Sequence, residues 1–287
     1  MRALSPEFCV LMGSDEKQGE KASNAAREAI ENMRDGGTLL INGDDKALTN
    51  AAAEAGSCGR VRVKTFGLHA KNAHYRAEEV RADGQGLAFT LHYGAERIEL
   101  SCATPFSDGI YPVLAAFALG MEAGLEVKSI ARAIEAHRLT GYCRNLVNYG
   151  GLSLLLNCAC KSRSSAMAAI DALARLPVAP EGRRIAVIGD MDACGGADCA
   201  SIGAAIAGRG VSYLCCCGEN GESVLNAARD AGFAQERLLY AATAEECEEL
   251  LLSLIRPGDA LLFAGSRGMR FYVTLRRLFG LTDGRVE

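Results

Sequence analysis

No run of Lys and Arg breaks the even spread of charge in this 287-residue sequence, whose formal charge is −4. The electrostatic footprint of a nucleic-acid binder is therefore missing. No window reaches the roughly 18 uncharged apolar residues that a membrane-spanning helix requires, and MRALSPEFCVLMGSDEK carries no long apolar stretch behind Arg2. The expected protein is soluble, cytoplasmic and not exported, with neither nucleic acid nor membrane as a partner. In a reducing compartment disulfides are rare and thiols act as small hydrophobes, so most of the 12 cysteines are expected to be packing residues. Cys215, Cys216 and Cys217 end an apolar run, VSYLCCC, that reads as a buried strand in which neighbours point to opposite faces and cannot share one ion. Cys158 and Cys160 are placed to share a strand face, and Cys194 and Cys199 flank a Gly-rich loop. Neither pair has the Cys-x-x-Cys spacing of zinc knuckles, and no metal ligand is assigned.

A composition of 49% hydrophobic and 23% charged residues can fill one large core or two ordinary ones, and two domains are expected. Residues 20 to 34 place apolar side chains at helical spacing, and Gly36-Gly37 stops them before the strand TLLIN. Residues 61 to 103 read as short alternating strands (VRVKTF, HYRAEEV, LAFTLHY, ERIELSC) broken at Asp83-Gly84, Gly86 and Gly94-Ala95, which predicts an antiparallel meander. Helices follow over about 109 to 123 and 127 to 137, separated at Gly124. After Gly141 the rhythm changes. Apolar runs at 152 to 157, 184 to 189, 211 to 217, 237 to 240 and 259 to 264 alternate with helical stretches near 164 to 176, 198 to 207, 221 to 231, 244 to 255 and 270 to 279. This βα repeat predicts a mostly parallel sheet covered by helices on both faces, with the domain boundary near residue 140.

Two strand ends in the second domain carry the sharpest local signals. RRIAVIGDMDACGG puts Gly189, Asp190 and Met191 after a buried strand and before a helix, where open α/β sheets bind ligands. A plain βα turn with Asp190 as a helix cap is the other reading. DALLFAGSRGMRF repeats the geometry: Gly265 and Gly268 let the backbone approach a ligand, and Arg267 can fork onto a carboxylate or phosphate.

The order of these pieces carries a resemblance. Asn42-Gly43-Asp44-Asp45 after a strand, Tyr111 with Leu114-Ala115-Ala116 on a helix, Gly141 with Arg144, Gly189-Asp190-Met191, and Gly265-Ser266-Arg267-Gly268-Met269 together resemble the Mur ligase family. Within it the sequence is most similar to the D-alanyl-D-alanine-adding ligases, from about residue 6 to the end. The resemblance implies an α/β fold in which residues 1–139 form a partial central, ATPase-type domain of helices plus the meander, and residues 140–287 a Rossmann-like C-terminal domain. Such enzymes phosphorylate a UDP-muramoyl-peptide carboxylate with ATP and magnesium, and an amine then attacks the acyl phosphate. Carried over by position, Asn42, Asp45, Tyr111 and Arg144 would face the nucleotide. Gly189, Asp190, Met191, Lys161, Arg163, Gly265, Ser266, Arg267, Gly268 and Met269 would face the peptide substrate.

The sequence departs from the family where phosphoryl transfer is done. It contains no Gly-Lys-Ser or Gly-Lys-Thr, and that chemistry rests on a Gly-rich cradle, a Lys and magnesium. No His precedes His69, and Arg27 matches the helix position where the family has a Lys that can be carbamylated. Asp108-Gly109 and Pro112 stand where the family has the amides that read adenine, and Ala264 replaces the Lys of the last motif. Asn157-Cys158-Ala159-Cys160-Lys161-Ser162-Arg163-Ser164 replaces a carboxylate-rich turn, and its two cations either suit an anion at a helix N-terminus or belong to a solvated loop. The expectation is a Mur-ligase-like binding or regulatory module with no catalytic residue assigned and no cofactor for the chain alone. A peptidoglycan precursor or D-amino-acid peptide, or a partner Mur ligase or ATP-binding half, would be its partner. The alternative is an active amide ligase completed, with ATP and magnesium, by an N-terminal ATP-binding half.

Overall fold

The computed structural model describes residues 5–13, 19–56, 59–191 and 194–282. The chain forms two compact units: Met1–Arg81 with Leu87–Cys102 and Asp108–His137, and Arg138–Glu287 with Ala82–Gly86 and Ala103–Ser107.

The first unit runs β1 (Phe8–Leu11), α1 (Gly19–Asn32), β2 (Thr38–Asn42), α2 (Lys46–Gly56), β3 (Arg62–Gly67), β4 (Tyr75–Ala82), β5 (Leu87–Tyr93), β6 (Glu96–Cys102), α3 (Ile110–Glu122) and α4 (Val127–Ala136). Its six strands lie in sequence order in one sheet. Helix α1 presents Ala22, Ala26 and Ile30 every four residues, with Met33 just beyond its end, and all four are buried. Ile30 and Met33 pack with Leu39 and Ile41 of β2, while Leu40 points the other way, to the side on which α3 packs. Gly124, with φ of +78°, ends α3 as its left-handed stop residue.

The meander expected over 61 to 103 is shorter than its sequence pattern suggests. β1, β2, β3 and β4 pair in parallel, so VRVKTF belongs to the parallel part of the sheet. The cause is α2, which the sequence reading passed over: a strand reached through a crossover helix returns parallel to its neighbour. Only β4, β5 and β6 meander. β5 and β6 pair antiparallel, and the four residues between neighbouring β4 and β5 are too few for a parallel crossover.

The second unit runs β7 (Cys143–Tyr149), β8 (Leu152–Asn157), α5 (Arg163–Arg175), β9 (Arg184–Gly189), α6 (Gly196–Ala207), β10 (Tyr213–Cys217), α7 (Gly221–Asp230), β11 (Leu238–Ala241), α8 (Ala244–Leu254), β12 (Ala260–Ala264) and α9 (Phe271–Phe279). The strand order is β11-β10-β9-β12-β8-β7, parallel throughout except for edge strand β7. Residues of α5, α6 and α7 fill one core layer and those of α8 and α9 the other. Period-two alternation sorts the cysteines. Cys216 faces the first layer, whereas Cys215 and Cys217 face the second, where the Sγ of Cys215 lies 3.8 Å from that of Cys247. Cys158 and Cys160 do not share a face. They follow β8 in a turn, with Cys158 in the second layer and Cys160 in the first. Among the described residues no helix is long and apolar enough to cross a membrane.

Asp259 clamps the amino edge of this sheet. Its side chain is 1% exposed and accepts from the backbone N–H groups of Arg183 and Arg256 and from the guanidinium of Arg183, while its carbonyl accepts from Ser153 at the start of β8. Burial alone would raise its pKa, but these donors hold it below the usual carboxylate range. A carboxyl with a depressed folded pKa stabilises the fold above the unfolded value near 3.9, and that stability drains away as pH falls through the folded value. Asp259→Asn should therefore cost about 3 kcal/mol at pH 7, because Arg183 keeps its charge and loses its partner. The deficit should shrink as the pH drops below about 4. Urea unfolding at pH 7 and pH 3 measures both; an equal deficit at the two values would show that the ion pair is not the cause.

Candidate functional site

In the first unit the site residues converge on the turn after β2. Asn42 Oδ1 accepts from the Asp44 N–H at 3.0 Å, and Asn42 Nδ2 donates to the Met12 carbonyl at 3.1 Å. Asp45 caps α2, its Oδ1 accepting from Ala47 and Leu48. Asp44 reaches the other way. Its carboxylate accepts from the N–H groups of Leu68, His69 and Ala70 at 2.7 to 2.9 Å and from the hydroxyl of Tyr111 at 3.0 Å. Partial burial pushes the Asp44 pKa up, but the donors outweigh it and the net shift is downward. Burial and the neighbouring Asp44 charge both raise the Tyr111 pKa. Asn42, Asp45 and Tyr111 are thus brought together, and Asp44, quoted in the motif but not singled out in it, is the hub. Three consecutive N–H groups after the Phe66-Gly67 strand end are visible only once the chain is folded.

Arg144 belongs to the second unit. It sits at the irregularity in β7 with φ of +57°, its guanidinium 4.5 Å above the Phe106 ring, a cation–π contact.

The remaining site residues gather at the carboxyl edge of the second sheet. Gly189 is the last residue of β9, and Gly265 follows β12 directly. They must be small: a Cβ on Gly189 would lie 2.7 Å from the Met269 side chain, and one on Gly265 would lie 2.9 Å from the Phe271 ring. Asp190 ties three strand ends together. Its carboxylate accepts from the N–H groups of Glu219 and Asn220 after β10, both at 2.9 Å, and its carbonyl accepts from Ser266 after β12 at 2.7 Å. Its cap role is therefore exercised on the loop after β10, a partner that sequence reasoning missed, although Gly218 at a parallel strand's end was the available signal. Met191 lies among thiols, its sulfur 3.6 Å from Cys160 and 3.7 Å from Cys194.

Around Asp190 lies a cavity of about 370 Å³, lined also by Gly218, Glu245, Met269, Arg270 and Arg277. Arg270 holds a left-handed backbone, φ +52°, at the start of α9. Arg277 is paired with Glu245 and Glu248. Arg267 and Lys161 are exposed and make no ion pair among the described residues, whereas Arg163 donates to Ser201 at 2.7 Å. Ser162 caps α5 by accepting from Ser165, which uses one of the N–H groups an anion there would want.

Comparison with known proteins places this architecture. The model of the Mur ligase middle domain matches residues 17–120, and that of the Mur ligase, glutamate ligase domain, matches residues 160–267. The chain carries the Mur ligase middle and C-terminal domains. A UDP-N-acetylmuramoyl-tripeptide–D-alanyl-D-alanine ligase of Bacillus subtilis is 25% identical over 281 residues, which are 94% of this chain and 58% of that protein. The MurF structure from Acinetobacter baumannii superposes with a TM-score of 0.83 at 17% identity, over 96% of this chain and 61% of that one. The MurF ligase of Thermotoga maritima in complex with ADP gives 0.74 at 14% identity, over 98% and 62%. The chain thus spans less than two thirds of the length of these relatives. Asn42, Asp45, Tyr111 and the residues from Lys161 to Arg267 fall inside the matched domains, and Arg144 falls between them.

If Asp190 holds the strand ends together, Asp190→Ala should destabilise the second unit by about 2 kcal/mol, because the Glu219 and Asn220 amides lose their acceptor. Amide hydrogen exchange should quicken at those two residues first. Unchanged exchange there would mean that the loop is held by other contacts.

Proposed function

We propose that this chain is a Mur-ligase-like protein, related to the ATP-dependent D-alanyl-D-alanine-adding ligases of peptidoglycan precursor synthesis, that acts by itself as a cytoplasmic binding or regulatory module. The observation that carries the reading is the commitment of the ligase-side groups to the fold. Arg27 is paired with Glu54 at 3.0 Å, which puts a permanent cation where the family resemblance implies a metal-side group. Asp44 is spent on Leu68 to Ala70 and on Tyr111. These residues do not fit a magnesium–phosphate site, and no phosphoryl-transfer step is routed through them.

Binding capacity sits at the carboxyl edge of the second sheet. Lys161 after β8 and Arg267 after β12 come from neighbouring strands and carry charge with no carboxylate partner among the described residues. A carboxylate of a D-amino-acid peptide or of a peptidoglycan precursor suits such a pair, with Arg267 able to grip it in bidentate fashion. The second reading, a ligase completed by a separate or preceding ATP-binding half, is favoured by one fact: the relative from Bacillus subtilis is covered over only 58% of its length.

Turnover of labelled ATP with tripeptide precursor and D-alanyl-D-alanine, using the isolated chain, separates the readings. Each missing oriented electrostatic group costs on the order of 10²–10³ in rate, and the sequence already lacks the Gly-Lys-Ser or Gly-Lys-Thr cradle, so phosphate release should be indistinguishable from that of Arg144→Ala. Release above that variant would restore the ligase. Calorimetry with D-alanyl-D-alanine should give binding that Arg267→Ala weakens by about tenfold or more.

A further inference from the structure

A second cavity, of about 510 Å³, is lined by first-unit residues at the end of α3 remote from Tyr111, and no carboxylate lines it among the described residues. Lys64 on β3, Lys71 in the following loop, and His74 and Arg76 around the start of β4 surround it, with Tyr93 at the hairpin tip. Its size lies in the range of small-molecule sites.

The charge balance there is one-sided. The side chains of Lys64 and Lys71 make no ion pair or hydrogen bond among the described residues. Arg76 and His92 share one carboxylate, Glu78. Glu122 accepts the Tyr75 hydroxyl at 2.7 Å. Two ammonium groups and one guanidinium therefore line the same space with the imidazoles of His74 and His92, against two nearby carboxylates: Glu78, shared by Arg76 and His92, and Glu122, which acts on His74. Like charges held together in a concavity attract anions of matching valence.

The imidazole of His74 is oriented for the same task. The Thr65 N–H donates to its Nδ1 at 3.2 Å, with the Thr65 hydroxyl 3.0 Å away, so Nδ1 is the acceptor and Nε2 carries the proton. Partial burial and the Lys64 charge both push its pKa down, outweighing an opposite pull from Glu122. His74 is thus a neutral N–H donor with Nε2 uncommitted. Tyr93, packed on Phe117 with centroids 5.5 Å apart, adds a rigid aromatic wall. Point-charge lysines around a compact volume suit a phosphoryl group of two or three negative charges better than a planar carboxylate, which favours the arginine fork.

We infer that this cavity binds a diphosphate-bearing small anion through Lys64, Lys71, Arg76 and the Nε2–H of His74. The site is built from residues of the first unit alone and does not depend on the reading proposed for the second. Two sources share the chemistry, free pyrophosphate and a nucleoside diphosphate, and Tyr93 distinguishes them by stacking only on the latter.

The test is titration calorimetry of the full chain with pyrophosphate, with ADP and with UDP at low and high salt, beside Lys64→Gln/Lys71→Gln and a control, Lys46→Gln. Pyrophosphate should bind the wild type with an affinity that falls as salt rises, and the double variant should bind at least tenfold more weakly while the control is unchanged. Nucleotide binding tighter than pyrophosphate, lost in Tyr93→Ala, would assign the nucleoside source; equal binding would assign the free anion. Absence of heat with all three probes in a folded wild type, or equal binding by the double variant, would overturn the site. Thermal melts of each variant separate lost binding from lost folding, and the His74 Nε2 NMR resonance should move on pyrophosphate addition.

Discussion

The second unit depends on one strand being held at both ends. β9 is flanked on both sides by parallel strands, so its ends decide where the whole carboxyl edge lies. At its amino end Arg183 is locked by the buried Asp259, and at its carboxyl end Asp190 binds the loops that leave β10 and β12. A buried carboxylate such as Asp259 is costly unless its lone pairs find donors, and both aspartates accept from backbone N–H groups whose positions the sheet register already sets, Asp259 adding the Arg183 guanidinium. The register and the two clamps therefore support each other. The close approach of Gly189 and Gly265 to Met269 and Phe271 then leaves the loop over β12 little freedom to drift.

The same economy explains why candidate groups in the first unit are hard to read as chemistry. A carboxylate that accepts three N–H groups and a phenol has filled its acceptor capacity, and a ligand would have to displace bonds worth more than it could easily replace. Groups left unspent are a better guide. By that criterion Lys161 and Arg267 in one unit, and Lys64, Lys71 and the outer nitrogen of His74 in the other, outrank Asn42, Asp45 and Tyr111 of the first motifs.

Long, strongly periodic stretches were legible in the sequence. The five βα repeats after residue 150 stand within a few residues of their expected bounds, because period 2 and period 3.6 alternate there between clear Gly breaks. Three elements were not legible. β1 is four half-buried residues at a sheet edge, and β7 is an edge strand carrying one Arg and two Asn with an irregularity after Cys143, so neither shows clean alternation. α2, KALTNAAAEAG, is a short, Ala-rich helix whose start signal, Asp45, reads equally well as a site residue. Missing it cost the orientation of β3. Of the candidate sites, strand-end glycines and Asp190 could be found from position alone, but the Asp44 hub joins residues up to 67 apart, and no local pattern encodes that.

The run of three cysteines in β10 makes the second unit its own stability gauge. Cys215 and Cys217 lie under α8 while Cys216 lies under the helices of the opposite layer, and burial raises the Cys216 thiol well above its ordinary pKa. An alkylating reagent meets only thiolate that has come into water. Modification of Cys216 would therefore time the lifting of one helical layer, and modification of its two neighbours the lifting of the other. Exposed Cys143 would register the reagent itself at once. A single strand thus offers separate chemical clocks for the two halves of its own core.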